Sequence, residues 1–524
     1  MAEGILLTNT RILAEKYSWD EEDVVLEFEK QIKEMQSADI QWYLLDIASY
    51  GDDIDLDDWL EYNNVISEFI LGMGLTQGVD LSLFIIGGDD VIPVPYVEDV
   101  YGSTDEGEIP TDMPYSFHDN YFDYLIYGDI EGNFIEDVRN SVSRLPLEDS
   151  ELSESDFTDD IIAYFQRCNR YLQNSIEAEH VVMTANESWL PASKTMSQHL
   201  PLICKGESAD FVEDKMFVSP NHSLDNEDSM DAYIPTINDA EMLVFNLHGS
   251  DRTMNSSFYN DYSDEGFSIE MLSNTEAKIF NTVACYGARF MGYDRESSML
   301  LSAMLDYGML LYMGSHVPVP MYCNVDDSLD SNPGSGSEKL MPIYCLYLYM
   351  GIPAATALLL AKIDYFNAFR QIEDDDFALS TILMFNLYGN PMLKVERNEE
   401  VIRLAREQNL IPTEFINDCV VSLDIPKRTA LELDVENESA NLLREIRGKV
   451  DEGWLSIHNV IKEKIEKEFG LSADTLIGID KVKRAKDTHD RYVYKYLSKR
   501  EKFQQKTWVE VDKNTSIISC VTTK

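Results

Sequence analysis

The sequence has 524 residues, of which 44% are hydrophobic and 11% aromatic, and this apolar content excludes an intrinsically disordered chain. It carries 42 basic and 95 acidic residues, which gives a net charge of −53. Extensive nucleic-acid binding is therefore disfavoured, because phosphate groups are bound by basic patches.

The charge is distributed unevenly along the chain. Residues 401–524 contain 22 Lys and Arg against 21 Asp and Glu, whereas the first 400 residues contain 20 against 74. This asymmetry predicts a separate C-terminal region, 401–524, with a regulatory or recruiting role. We call the first 400 residues the acidic body. Within it we place an N-terminal α/β subdomain at 1–150 and a second subdomain at 151–400.

Strand and helix patterns alternate along the acidic body. Helical spacing of apolar residues occurs at 20–35, 59–73 and 161–174. Short apolar runs predict strands at 5–9, 42–48, 81–88, 180–185, 242–249, 278–285 and 309–315. Apolar strands between helices predict an α/β fold with a parallel-rich sheet sandwiched by helices. Helical stretches at 430–450 and 454–469, followed by β-like runs, predict a smaller α+β C-terminal region.

Three features bear on the compartment. The seven cysteines form no CxxC pair, which is typical of reduced thiols in a cytoplasmic protein. The first residues lack a basic start followed by an apolar run, so we expect no secretory signal. The uncharged stretch 343–361 is long enough to span a membrane, but Gly351 and Pro353 in its middle favour two buried helices, and no membrane partner is expected.

Four predicted strands end in small or reactive residues, in the runs IIGGDD, NLHGSD, TVACYG and YMGSH. In open α/β sheets, ligands bind beyond the carboxyl ends of the strands. We therefore expect His248, Cys285, Ser315 and His316 to share one edge of the sheet.

Cys285 and His248 are candidates for a nucleophile and its base. Gly249 follows the histidine directly, and its N–H, together with the N–H of Cys285, could form an oxyanion hole. From the residues alone, a buried structural thiol and a histidine that caps a strand remain alternatives. The acidic runs at 52–58 and 326–330 do not match the ligand spacing of a calcium loop, so no metal is expected.

Six segments follow one another in an order that resembles the gingipain-type cysteine peptidases, within the wider caspase-like clan. These segments are LFIIGGDDVIPVP, HDNYFDYLIYGDIEGNFIEDVRNSVSRLP, LVFNLHGSDRTM, NTVACYGARF, MLLYMGSH and FNLYGNPMLKV. The resemblance covers about residues 5–396. It implies a caspase-like fold whose second subdomain, 151–400, is catalytic, with Cys285 as nucleophile and His248 as general base and acid. No cofactor is expected.

The resemblance also implies a substrate preference. Asp119 lies where the basic-specific members of the family hold the acid of the primary specificity pocket, which implies protein substrates cleaved after Arg or Lys. Asp123, in the same loop, is a rival for this role, and Asp119 could instead cap a turn. Ser315 and His316 are further candidates for substrate binding.

Two departures from the family pattern are interpreted as structural. The closing motif contains Asn390 in place of aspartate, and Arg144-Leu145-Pro146 follows Ser143 in place of glycine. Known secreted members carry signal peptides and propeptides that we do not find here. An intracellular peptidase with regulated activation, held either as a zymogen or by a regulatory protein partner, is therefore implied.

A second interpretation is a catalytically silent caspase-like scaffold that binds partners through its acidic surface. The presence of both His248 and Cys285 favours an active enzyme, since a scaffold needs neither. A third interpretation, an acidic nucleic-acid mimic, explains the charge but not the residues at the strand ends.

Overall fold

The computed structural model describes two compact units. The first comprises Met1–Ser116 and Ile135–Lys427, and the second comprises Phe117–Phe134 and Arg428–Lys524. The described residues are 2–37, 40–53, 58–102, 104, 107–117, 138–148, 157–203, 212–213, 215–218, 227–249, 257–259, 265–319, 337–369, 375–407, and the backbone of 475–482, 491–499, 504–511 and 517–522.

An eleven-stranded sheet forms the centre of the first unit, in the order β2-β1-β3-β6-β15-β14-β13-β10-β7-β9-β8. Its strands are β1 (Ala2–Thr8), β2 (Ile40–Asp46), β3 (Leu81–Ile86), β6 (Ser141–Leu145), β7 (Val181–Ala185), β8 (Val212–Glu213), β9 (Met216–Val218), β10 (Met242–Asn246), β13 (Ile279–Thr282), β14 (Leu311–Ser315) and β15 (Phe385–Gly389). Two separate hairpins pair β4 (Tyr96–Glu98) with β5 (Glu108–Pro110), and β11 (Ser257–Tyr259) with β12 (Glu265–Ser268).

Most neighbouring strands of this sheet are parallel, as the pattern of continuous apolar strands predicts. The strand β15 runs antiparallel to β14 and lies between β14 and β6. Since β1, β2, β3 and β6 lie on one side of β15 and the remaining strands on the other, the predicted subdomains 1–150 and 151–400 share one sheet. Their boundaries stay a prediction.

Helices connect the strands. They are α1 (Thr10–Tyr17), α2 (Glu21–Met35), α3 (Trp59–Met73), α4 (Ala163–Leu172), α5 (Leu190–Ser197), α6 (Glu227–Asn238), the single turn α7 (Met299–Leu301), α8 (Ser337–Tyr349), α9 (Ala354–Phe369), α10 (Asp375–Met384) and α11 (Glu399–Glu407). The α/β fold is thus confirmed.

The ends of α3 show why the helical pattern at 59–73 predicted its bounds. The Asp58 side chain accepts a hydrogen bond from the backbone N–H of Leu60 and caps the start of the helix. Gly74 ends the helix in the left-handed conformation, with φ of 67°, which glycine adopts at little cost.

The uncharged stretch 343–361 forms parts of two helices. α8 ends at Tyr349, Gly351 turns the chain with φ of 78°, and α9 begins directly after Pro353. No helix in the described part of the chain is long and apolar enough to cross a membrane.

Arg144 explains the motif Arg-Leu-Pro. Its fully buried guanidinium is bound by the carboxylate of Asp112 and by the carbonyl oxygens of Gly87, Gly88 and Ile92, at 2.7–3.2 Å. One side chain thus fixes the turn that follows β3. The two departures from the family pattern have structural contacts: Asn390 Oδ1 accepts a hydrogen bond from the backbone N–H of Met392, and Ser143 Oγ donates one to the carbonyl of Gly389.

The second unit contains a four-stranded antiparallel sheet. Its strands follow in chain order: β16 (Thr475–Val482), β17 (Arg491–Lys499), β18 (Gln504–Val511) and β19 (Ile517–Thr522). The β-like runs predicted at RYVYKYL and TWVEV…TSIISCVTT correspond to β17, β18 and β19, whereas β16 was not predicted. The helices predicted at 430–450 and 454–469 lie outside the described residues.

Candidate active site

The four strands β7, β10, β13 and β14 run parallel, and their registers bring their carboxyl ends to one edge of the sheet. Phe245 of β10 pairs with Thr282 of β13, and Asn281 of β13 pairs with Met313 of β14. His248 and Gly249 follow β10, Cys285 follows β13, Ser315 ends β14 and His316 follows it.

His248 is fixed at its backbone. Its N–H donates to the carbonyl of Tyr259 at 2.9 Å, and its carbonyl accepts from the N–H of Tyr259 at 2.8 Å. Its imidazole packs against the indole of Trp189, with ring centroids 4.2 Å apart and planes inclined by 56°. Trp189 reaches this position because it ends the short helical turn that follows β7.

Gly249 lies directly against the backbone of Cys285. A Cβ atom at Gly249 would stand 1.6 Å from the carbonyl oxygen of Cys285 and 2.7 Å from its carbonyl carbon. A side chain at position 249 would clash with the Cys285 backbone, so this position requires glycine. The contact brings the His-Gly end of β10 beside the cysteine that follows β13.

Cys285 is half-buried, and its sulfur contacts the backbone of Val319. The N–H of Val319 donates to Sγ at 3.3 Å, and the thiol donates to the carbonyl of Val319 at a longer 3.9 Å. Burial raises the pKa of the Cys285 thiol, while the backbone N–H groups of Val319 and of Cys285 itself oppose that rise. The two other thiols for which the structure describes the side chain, Cys168 and Cys345, are fully buried with pKa values of about 12.

The end of β14 and the segment that follows it lie along the loop of Cys285, and every second residue of that segment contacts the loop. The carbonyl of Ser315 accepts from the N–H of Ala288 at 2.8 Å, and the carbonyl of Val317 accepts from the N–H of Tyr286 at 3.1 Å. The contact between Val319 and Cys285 continues the same series. Tyr286 adopts φ of 55°, a strained value for a tyrosine, in the middle of this arrangement.

Ser315 and His316 have side chains that are buried in the protein. Ser315 Oγ donates to the carbonyl of Val317 at 3.0 Å, and His316 Nε2 is hydrogen-bonded to the hydroxyl of Tyr388. Burial, and then the nearby Arg144 and Arg289, lower the pKa of His316 to about 3, so this histidine is neutral near pH 7. These contacts support the ends of β14 and β15.

The run IIGGDD at the end of β3 makes structural contacts. Asp89 Oδ1 accepts from the N–H of Val94 at 2.6 Å, and Asp90 forms an ion pair of 2.7 Å with Lys16. The loop that contains Asp119 and Asp123 lies outside the described residues. Among the residues that the structure does describe, no group of three His, Cys, Asp or Glu side chains is arranged to hold a metal ion.

Two neighbours of the site were not predicted from the sequence. Trp189 and Val319 contact His248 and Cys285, respectively, and each follows a different strand of the sheet. The PVP run at 318–320 is a signal that could have identified Val319, since it leaves one N–H between two prolines.

A mostly parallel α/β sheet with a His-Gly segment packed against a cysteine is the arrangement expected of a caspase-like cysteine peptidase. The family model for Peptidase family C25 matches residues 65–396 of this chain. The chain therefore belongs to the C25 family of cysteine peptidases, the gingipain family.

Two solved structures are similar to the chain at low sequence identity. One, titled "Structure of Protease", has a TM-score of 0.47 and 12% identity, and the match covers 76% of this chain and 79% of the other. The other is the complex of the pro- and mature domains of Porphyromonas gingivalis RgpB, with a TM-score of 0.46, 11% identity, and coverage of 75% and 79%. No curated protein sequence matches the chain.

Proposed function

We propose that the chain is a cysteine endopeptidase in which Cys285 is the nucleophile and His248 the general base and acid. The observation that carries this proposal is the contact of Gly249 with the Cys285 backbone, which makes the histidine and cysteine segments neighbours at one sheet edge. Membership of the C25 family supports the assignment.

Burial raises the pKa of the Cys285 thiol, so the reaction needs a base to remove its proton. In the proposed mechanism His248 takes this proton, and Sγ attacks the peptide carbonyl carbon. The C–N bond then breaks, the proton passes from His248 to the leaving amine, and a thioester remains. Water, deprotonated by His248, hydrolyses the thioester, which releases the carboxylate product and restores the thiol.

The backbone N–H groups of Gly249 and Cys285 are proposed to bind the oxyanion that forms during both attacks. One feature supports this. The backbone of Gly249 lies directly against the backbone of Cys285, so the two residues are neighbours at this edge of the sheet.

Protein substrates with Arg or Lys before the cleaved bond are proposed, with Asp119 or its rival Asp123 binding the cation. The 74 acidic against 20 basic residues of the first 400 support this preference, because a strongly acidic surface attracts basic segments. Ser315 and His316 are proposed to contribute to substrate binding through the backbone segment that they hold, because their side chains form hydrogen bonds within the protein.

A thiol-reactive peptidyl ketone with Arg or Lys at its reactive end tests the proposal. Labelling of Cys285, found by peptide mapping, is expected in the wild-type chain and should be lost in Cys285→Ala and strongly reduced in His248→Ala. Cys345→Ala is the control for loss of a cysteine elsewhere. Absence of both labelling and peptide cleavage in the folded wild-type protein would favour the silent scaffold.

Comparison of Asp119→Asn with Asp123→Asn tests the specificity. Loss of the charge partner of a bound cation typically costs roughly 3–5 kcal/mol, so one of the two variants should lose the preference for Arg and Lys in a peptide library. A wild-type enzyme that cleaves equally after acidic and apolar residues would refute the basic preference.

A cytoplasmic location and regulated activation complete the proposal. The free thiols of Cys168, Cys285 and Cys345 suit a reducing compartment. Control by self-processing predicts fragments in wild-type protein that are absent from Cys285→Ala, whereas control by a regulatory partner predicts an intact chain that the partner activates or inhibits. Cell fractionation with a cytoplasmic marker tests the location.

A further inference from the structure

The backbone of Val319 is the closest hydrogen-bonding partner of the Cys285 sulfur in the described part of the chain. Its N–H points to Sγ at 3.3 Å, and Val319 itself is buried, with 8% of its surface exposed. A hydrogen bond to sulfur that is shielded from water is stronger than one in bulk solvent, because water does not compete for the donor.

The sequence around Val319 singles out this donor. The residue stands between Pro318 and Pro320, neither of which has a backbone N–H. A residue that precedes proline is also restricted to extended backbone conformations. The run PVP therefore supplies one backbone N–H donor, that of Val319, and the proline after it restricts the backbone conformation of Val319.

The hydrogen bonds between residues 315–319 and the loop 285–288, which contains Cys285, hold that donor in place. Ser315 and Val317 each accept a hydrogen bond from the loop, at 2.8 and 3.1 Å, and Val319 follows two residues later on the same side. Its direction toward Cys285 is thus a consequence of the period of an extended strand.

We propose that the Val319 N–H is a positioning group for Cys285, which holds Sγ in one orientation and stabilises its thiolate. The inference rests on the proposed role of Cys285 as nucleophile. A hydrogen bond to a charged group is stronger than one to a neutral group, so loss of this donor should lower the thiolate population about tenfold.

Other titratable groups on the neighbouring elements are His248 after β10, Tyr286 and Arg289 in the cysteine loop, and His316 after β14. Arg289 lies over the rings of Tyr286 and Tyr293, 5.4 and 5.3 Å from their centroids, and His316 is hydrogen-bonded to Tyr388. The Val319 N–H donates to Cys285 Sγ, so a backbone substitution at Val319 removes this donor while all of these side chains keep their identity.

The test measures the rate at which iodoacetamide alkylates Cys285 as a function of pH, by peptide mapping of the full-length protein. The thiolate displaces iodide, so the rate follows the thiolate population without requiring peptide cleavage. Val319→Ala keeps the N–H, Val319→Pro removes it, and replacement of Val319 by its α-hydroxy acid exchanges the N–H for an oxygen with the side chain kept.

We expect alkylation of Cys285 at pH 7 to be about tenfold slower in the ester and proline variants than in Val319→Ala, with the rise in rate moved to higher pH. Thermal unfolding identifies a proline variant that has lost its fold, and the ester variant then decides. An ester variant that reacts like wild type would overturn the inference, as would an equal loss in Val319→Ala. Peptide cleavage is assayed separately, so a chain without peptidase activity still reports on this contact.

Discussion

The guanidinium of Arg144 meets the carboxylate of Asp112 through two hydrogen bonds, 3.0 Å from Nε to Oδ2 and 2.7 Å from Nη2 to Oδ1. Both side chains are almost completely inaccessible to water. Because the same guanidinium also binds three carbonyls of the turn after β3, it links β6 to the segment that follows its neighbouring strand.

Removal of one partner leaves the other as an uncompensated buried charge. Asp112→Asn is expected to lower the free energy of unfolding by about 3–5 kcal/mol, measured by urea denaturation. Arg403→Ala, which breaks exposed ion pairs with Glu400 and Glu407, is the control and should cost much less, because solvent screens exposed pairs. Similar losses in the two variants would contradict a structural role for the buried pair.

Gly249→Ala places a methyl group where the Cys285 carbonyl lies. We expect peptide cleavage to fall by at least about tenfold, because a displacement of the Cys285 backbone moves the proposed nucleophile and the proposed oxyanion donors together. Gly72→Ala is the matched control: it lies within α3 with no atom near the added group, so activity should persist and stability should rise by roughly 1 kcal/mol. Full activity in Gly249→Ala would show that the close approach does not matter for catalysis.

Trp189 is expected to orient the imidazole of His248. An aromatic contact of this kind contributes about 1 kcal/mol, so Trp189→Ala should lower kcat roughly fivefold with a smaller effect on KM. Trp189→Phe keeps a ring and should recover most of the rate, whereas Trp19→Phe, a change at a ring that packs on Phe157, serves as control. If Trp189→Phe is as slow as Trp189→Ala, orientation by a ring is not the cause.

His316 predicts a dependence of stability on pH. Its pKa is about 3 in the folded protein against 6.5 for an ordinary histidine, so below pH 6.5 the unfolded chain takes up a proton that the folded protein does not. The free energy of unfolding should therefore fall as the pH drops from about 6.5 toward 3, by up to about 1.4 kcal/mol per pH unit from this group. His316→Gln removes this contribution, and the difference between the two proteins at pH 7 and pH 5 measures it. Curves that stay parallel would contradict the prediction.

The sequence predicted elements well where the signal is local. The helix predicted at 59–73 matches α3 because Asp58 and Gly74 mark its two ends. The strand predicted at 81–88 contains β3 and exceeds it by two glycines at its C-terminal end. Each strand prediction rests on a continuous apolar run that has to be buried on both faces. The fold class follows from the alternation of such runs with helices.

Contacts between distant segments could not be predicted in this way. Because the predicted strands end alike, the sequence groups the run IIGGDD with the strand ends that carry His248 and Cys285. In the folded chain, however, Asp89 accepts a hydrogen bond from the N–H of Val94 and Asp90 forms an ion pair with Lys16. Trp189 is one of six tryptophans, and its spacing says nothing about which of them faces His248. Pairings of this kind depend on the order of strands in the sheet, which apolar periodicity does not specify.

The position of β15 has a consequence for biosynthesis. Of the eleven strands in the central sheet it is the last to leave the ribosome, yet it lies fifth in the sheet, between β6 and β14. Until residues 385–389 are made, those two strands each lack a neighbour and present open edges, and the two groups of parallel strands remain unjoined. Cys285 and His248 are translated well before this closure. The order of strands along the chain thus delays completion of the sheet beside Cys285 until residues 1–400 are almost fully translated.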